Sequence, residues 1–175
     1  MIDLFIPYIF GLALGIDAPG RDAAPPVVPS ATAATDITGT GDDMDASRPA
    51  EDQTPTGRFT TATEVRPILD VTRANWVGVR DYNGQDYVYF THLLAWRCGL
   101  WDIRYGFNGA PADNVLAMEP CYAETTTPNA ITDVANFLPY VIRPAGSVTS
   151  VTVEIVYDDG TAAEATFDRA AIAIP

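Results

Sequence analysis

The sequence predicts an all-β domain, an antiparallel two-sheet sandwich, carried behind a disordered N-terminal extension. Three observations predict it. From residue 58 onward apolar and polar residues alternate in short runs; those runs are separated by Asn-Gly and Asp-Gly turn signals; and no window carries a long helical stripe. Many short strands between turns pack as two sheets over one core.

The extension divides in two. Residues 1–16, MIDLFIPYIFGLALGI, form an apolar run the size of a signal-peptide core, with Ala13-Leu14-Gly15 as a small-residue cleavage candidate. Asp3 stands where such signals carry positive charge, and no Lys or Arg precedes the run. As a helix the run rises about 20 Å against a hydrocarbon core of about 30 Å, and Pro7 interrupts it. It is therefore expected to be an export signal or a membrane-associating segment, and membrane contact is expected through it alone. Residues 17–57 are rich in Pro, Ala, Thr and Asp and almost lack large apolar side chains, which predicts a disordered linker with a reach on the order of 35 Å. Within it, Asp42-Asp43-Met44-Asp45 lacks the alternating ligands and distal Glu of an EF-hand loop and reads as a solvated acidic run.

Residues 58–175 are the predicted sandwich. Residues 62–73 and 130–137 each suit a short turn of helix, limited by Pro67 and Pro139. Residues 76–82 and 85–90 flank Asn83-Gly84, which suits the two positive φ values of a type I′ hairpin turn. That register sets Val79 opposite Val88 and Val77 opposite Phe90, with Arg80 opposite Tyr87 and Gly78 opposite Tyr89 on the other face. Residues 100–107 read as a strand with Trp101, Ile103, Tyr105 and Phe107 on one side and Asp102 and Arg104 on the other. Residues 150–167 form a second hairpin about Asp158-Asp159-Gly160. A three-residue loop with Gly160 left-handed sets Val151, Val153 and Ile155 opposite Phe167, Ala165 and Ala163, assembling one apolar face and placing Glu154 across from Glu164.

Two of these phrases, residues 103–109 (IRYGFNG) and 151–161 (VTVEIVYDDGT), resemble the strand-and-turn phrases of immunoglobulin-like modules in bacterial exported proteins. The resemblance implies an immunoglobulin-like sandwich and no particular activity.

Composition excludes some functions. Ten Arg, no Lys and 23 acidic residues give a net charge of −13, which repels nucleic acid. No phosphate loop, nucleophile elbow or metalloprotease helix is present, so no motif calls for a cofactor. Cys98 and Cys121 are the only cysteines; in an exported chain the pair is expected to form a disulfide, and tetrahedral zinc needs more Cys or His donors than this. His92, the only histidine, lies at the end of an apolar run near Thr91, Cys98 and Asp102 and reads as a hydrogen-bonded structural residue rather than a base. Asp81, Asn83 and Asp86 surround the first turn with oxygen ligands that suit calcium, but turn-forming Asp and Asn explain them equally well, so no metal site is assigned.

Aromatic residues carry the remaining signal. Trp76, Arg80, Tyr87 and Tyr89 fall on the more exposed face of the first hairpin and are the candidate binding surface. The expected function is an exported, non-enzymatic binding or accessory module of the bacterial cell envelope, periplasmic or extracellular, with an envelope protein or glycan as partner. Its alternatives are a small hydrolase or cation-dependent enzyme around His92, and an envelope structural component with a self-associating edge strand.

Overall fold

A computed structural model describes residues 48–175, and the export-signal assignment and most of the linker assignment lie outside them. The elements run α1 (Ala62–Val71), a 3-10 turn Arg73–Asn75, β1 (Gly78–Tyr82), β2 (Gln85–Tyr89), α2 (Thr91–Leu94), a second 3-10 turn Arg97–Gly99, β3 (Leu100–Phe107), β4 (Asn114–Val115), β5 (Tyr140–Pro144), β6 (Ser150–Tyr157), β7 (Ala162–Asp168) and α3 (Arg169–Ile172). The strands form two antiparallel sheets, ordered β1-β2-β5 and β4-β3-β6-β7.

Both hairpins adopt the expected registers. Gly78, Val79 and Arg80 pair with Tyr89, Val88 and Tyr87, and Asn83 and Gly84 take φ of 52° and 72° at the turn. Val151, Val153 and Ile155 pair with Phe167, Ala165 and Ala163, Glu154 faces Glu164, and Gly160 has φ 82°. Inner residues of both sheets, Val79 and Val88 with Ile103, Val151, Val153 and Ile155, join one buried core with Phe90, which follows β2. Burial of that continuous apolar surface is what holds the layers together.

Three local expectations change. First, α1 is a full ten-residue helix despite Pro67. Its buried stripe, Ala62, Val65 and Leu69, packs into the core. Glu64 closes the entry by accepting from the Thr60 N–H and the Thr61 hydroxyl, while Asp158 Oδ1 accepts the Ala62 N–H at 2.8 Å. Tertiary burial and capping outweigh one missing proline donor. Second, the apolar run after β2 ends as a helical turn: the Phe90 N–H bonds to Pro139 O, and Leu93 and Leu94 turn inward from α2. Third, β3 bulges between Leu100 and Asp102, so Leu100 pairs with Tyr157 and Asp102 with Val156. The extra residue, Trp101, is buried apart from the main core cluster and donates from Nε1 to Glu51 Oε1 at 2.9 Å, with the Arg48 guanidinium over its ring.

A buried ion pair ties the sheets together at one end. The carboxylate of Asp86, on β2, receives both arms of the Arg169 guanidinium at 2.7 Å and the Val148 N–H at 3.1 Å. Those Arg169 hydrogen bonds, opposed by burial and aided by Val148, hold the Asp86 carboxyl down at about 2. Asp86 is therefore engaged away from Asn83, and among the described residues no group of three or more His, Cys, Asp or Glu side chains is placed to hold a metal ion.

Candidate functional site: a tyrosine face on the three-stranded sheet

Period-two geometry decides which side chains share the outer face of the three-stranded sheet. The two registers align Arg80 with Tyr87 and Ile142, and Gly78 with Tyr89 and Tyr140, while Val79, Val88 and Val141 point to the opposite side. Tyr82 and Gln85 complete the face at the hairpin end. The inner side is closed, with Val79 and Val88 at 2% and 0% exposure, whereas Tyr82 and Ile142 are 53% and 42% exposed.

The tyrosine rings form one connected cluster. Tyr87 stacks on Tyr89 at 6.3 Å, meets Tyr82 edge-on at 5.9 Å, and lies 5.2 Å from Tyr140, which in turn meets Tyr89 at 5.4 Å. The Arg80 guanidinium lies 5.8 Å from the Tyr82 ring centre. None of the four phenol hydroxyls has a hydrogen-bond partner among the described residues. Flat apolar surface and unspent polar groups thus stand together on one side of a rigid sheet.

Of the predicted binding residues, the structure brings Arg80, Tyr87 and Tyr89 together and removes Trp76. Trp76 is fully buried, its Nε1–H donating to Leu69 O at 2.9 Å and its ring edge-on to Phe167. The reason is local: Trp76 closes the preceding 3-10 turn with φ −57° and ψ −36°, so strand alternation does not extend back to it. Tyr82, Tyr140 and Ile142 take its place. Tyr82 was legible from its spacing to Arg80, but Tyr140 and Ile142 arrive on β5, whose pairing with β2 no local pattern announces.

A groove of about 620 Å³ opens at the Tyr89 end of this face. Gly78, Arg80, Tyr89 and His92 line one side, and the chain after α3, including Ile174, lines the other. Ile174 donates its N–H to Val79 O, and its side chain covers Gly78 so closely that a Cβ there would sit 2.4 Å from Ile174 Cδ1. His92 is held at the rim. Thr72 donates its single hydroxyl proton to Ile68 O at 2.6 Å, so its Oγ1 accepts from His92 Nε2–H at 2.8 Å. Burial pushes the imidazole below its ordinary value. Of the three sequence neighbours of His92, Thr91 lines the groove with it, whereas Cys98 is held in a disulfide and Asp102 pairs with Arg104 at 3.2 Å.

Cys98 and Cys121 form the expected disulfide, with Cα atoms 4.9 Å apart. Its surroundings were not legible in sequence. The guanidinium of Arg97, buried beside the disulfide, donates to the carbonyls of Leu94, Glu119, Pro120, Asn129 and Ala130. Glu119 accepts from Thr132, the Asp133 N–H and the Tyr122 hydroxyl; burial alone would raise its carboxyl, but these hydrogen bonds outweigh it and hold the group at about 2. This network shapes the long connection between β4 and β5 that delivers Tyr140.

Comparison with protein-family models, curated proteins and solved structures finds no significant match.

Proposed function

We propose that the chain is an exported, non-enzymatic binding module that presents the tyrosine face of its three-stranded sheet to a glycan of the cell envelope. The observation that carries this reading is the connected cluster of Tyr82, Tyr87, Tyr89 and Tyr140, with unspent hydroxyls, on a sheet whose other side is closed. A sugar ring offers a flat C–H face and a rim of hydroxyls, and this surface supplies aromatic rings for the first and phenols with a guanidinium for the second. A protein partner would favour apolar anchors in deep pockets, and Ile142 is the one large exposed aliphatic side chain on the face.

The disulfide accords with an oxidising compartment, supporting a periplasmic or extracellular location. The strand orders β1-β2-β5 and β4-β3-β6-β7 support an immunoglobulin-like sandwich, with β4 on the second sheet. Its disulfide departs from the inter-sheet bridge of antibody domains, joining the 3-10 turn before β3 to the connection after β4. The groove supports binding better than catalysis, because no carboxylate or thiol lines it beside His92 among the described residues.

The test is nuclear magnetic resonance titration of the chain with a panel of envelope-type oligosaccharides. Shifts are expected at the rings of Tyr82, Tyr87, Tyr89 and Tyr140, and Tyr87→Ala is expected to weaken binding by about 1 to 3 kcal/mol with folding retained. Binding that maps elsewhere, or that survives Tyr87→Ala unchanged, overturns the reading.

A further inference from the structure

We infer that the tyrosine face takes an acidic saccharide of the uronic-acid type, its ring against Tyr89 and its carboxylate received by Arg80 at the mouth of the adjoining groove. This rests on the binding reading above and adds the chemical class of the ligand. Arg80 and Tyr89 belong both to the tyrosine face and to the groove, so the two are one continuous surface.

Charge supplies the discrimination. The chain carries 23 acidic residues against ten Arg, yet among the described residues no Asp or Glu lines this groove, and Arg80 and His92 are its only side chains able to carry positive charge. Four other guanidiniums are consumed within the fold: Arg66 by Asp159, Arg104 by Asp102 and Glu154, Arg169 by Asp86, and Arg97 by five carbonyls; Arg143, over the Phe107 ring, does not line this groove. The Arg80 guanidinium has no ion-pair or hydrogen-bond partner among the described residues, and it lies near the ring of Tyr82. With screening over about 8 Å at physiological ionic strength, local charge governs a contact here more than the net charge does.

Shape is consistent with charge. Gly78 lies opposite Tyr89 and is covered by Ile174, giving the groove an apolar wall beside an aromatic one. Arg80 lies two residues along the same strand, about 7 Å away, on the same face. A pyranose against Tyr89 therefore places a ring carboxylate within reach of the guanidinium, whose planar fork matches two carboxylate oxygens.

The experiment titrates the full chain with oligomers of galacturonate, glucuronate and mannuronate, each beside its own methyl ester, which keeps the sugar and removes the charge. At least one acid is expected to bind about tenfold more tightly than its ester. Arg80→Gln is expected to abolish the preference for the acid, weakening the acid about tenfold more than the ester, and Arg80→Lys to recover part of the loss. Arg80 is exposed and its guanidinium has no ion-pair partner among the described residues, so these variants are expected to keep the native circular dichroism spectrum. Equal binding of acid and ester, or no effect of Arg80→Gln, overturns the acidic-ligand inference, and the tyrosine face stands if Tyr87→Ala still weakens both. Binding indifferent to Tyr87→Ala overturns the face itself. Failure of every acid to bind overturns the inference even where a neutral sugar binds.

Discussion

Breaking the Asp86–Arg169 pair from its two ends is expected to give unequal losses. Asp86 is fully buried, whereas the Arg169 side chain is 30% exposed. Arg169→Met leaves a buried carboxylate with the Val148 N–H and no cation, which costs about 3 to 5 kcal/mol. Asp86→Asn leaves a guanidinium that can reach water and still donates to Val148 O, so its loss is about 1 to 3 kcal/mol. The two variants also differ in pH dependence. In the native protein the Asp86 carboxyl is lowered from 3.8 to about 2, which corresponds to about 2 kcal/mol of stabilisation. That contribution is present above the unfolded value of 3.8 and is lost as pH falls through about 2. Without Arg169, burial is opposed only by the Val148 and Gly146 N–H groups, so the folded carboxyl is expected to rise well above about 2 and the penalty to fade on acidification. Urea unfolding at pH 7 and at pH 4 measures both effects. Equal losses from the two variants, or an Arg169→Met deficit that does not shrink between pH 7 and pH 4, would refute the reasoning.

Cys98→Ser opens a loop spanning 23 positions and is expected to lower stability by about 3 kcal/mol in denaturant titration, while non-reducing mass spectrometry of the native chain should show no free thiols. Gly106→Ala is expected to be severely destabilising, because a Cβ there would lie 2.1 Å from Pro111 O, a main-chain atom; Gly84→Ala meets open space and costs only its left-handed φ, about 1 kcal/mol. Thermal melts of the pair should separate clearly. The His92 ring should titrate below 6.5 by nuclear magnetic resonance, and because its folded value is depressed, stability should fall as pH drops below 6.5, a dependence that His92→Gln removes.

Local chemistry was readable residue by residue. Asn83-Gly84 and Asp158-Asp159-Gly160 determine their own turns, and once a turn is set, a side-chain period of two assigns every residue of both strands to a face. That is why the registers, the inward valines and the outward-facing Arg80, Tyr87 and Tyr89 followed from sequence. The helix α1 was also partly legible, in Thr61 three residues before Glu64 and in the spacing of Ala62, Val65 and Leu69, but Pro67 obscured it.

Other features depended on partners far along the chain. Whether Trp76 belongs to a strand or a turn depends on where the alternation begins, and one turn of 3-10 helix sent it into the core. The bulge at Trp101 exists because β3 must pair with β6, fifty residues on, and one residue more or less in register moves a side chain to the other face. Asp86 finds Arg169 across 83 positions, and Tyr87 and Tyr89 acquire Ile142 and Tyr140 only through β5. Sequence by itself determined the strand chemistry, the cysteine pair and the acidic balance, because these rest on neighbours in the chain or on composition. Tertiary structure alone decided which aromatics remain outside and which charges remain unpaired, because both depend on long-range pairing whose loop-closure entropy is offset only when the whole core assembles.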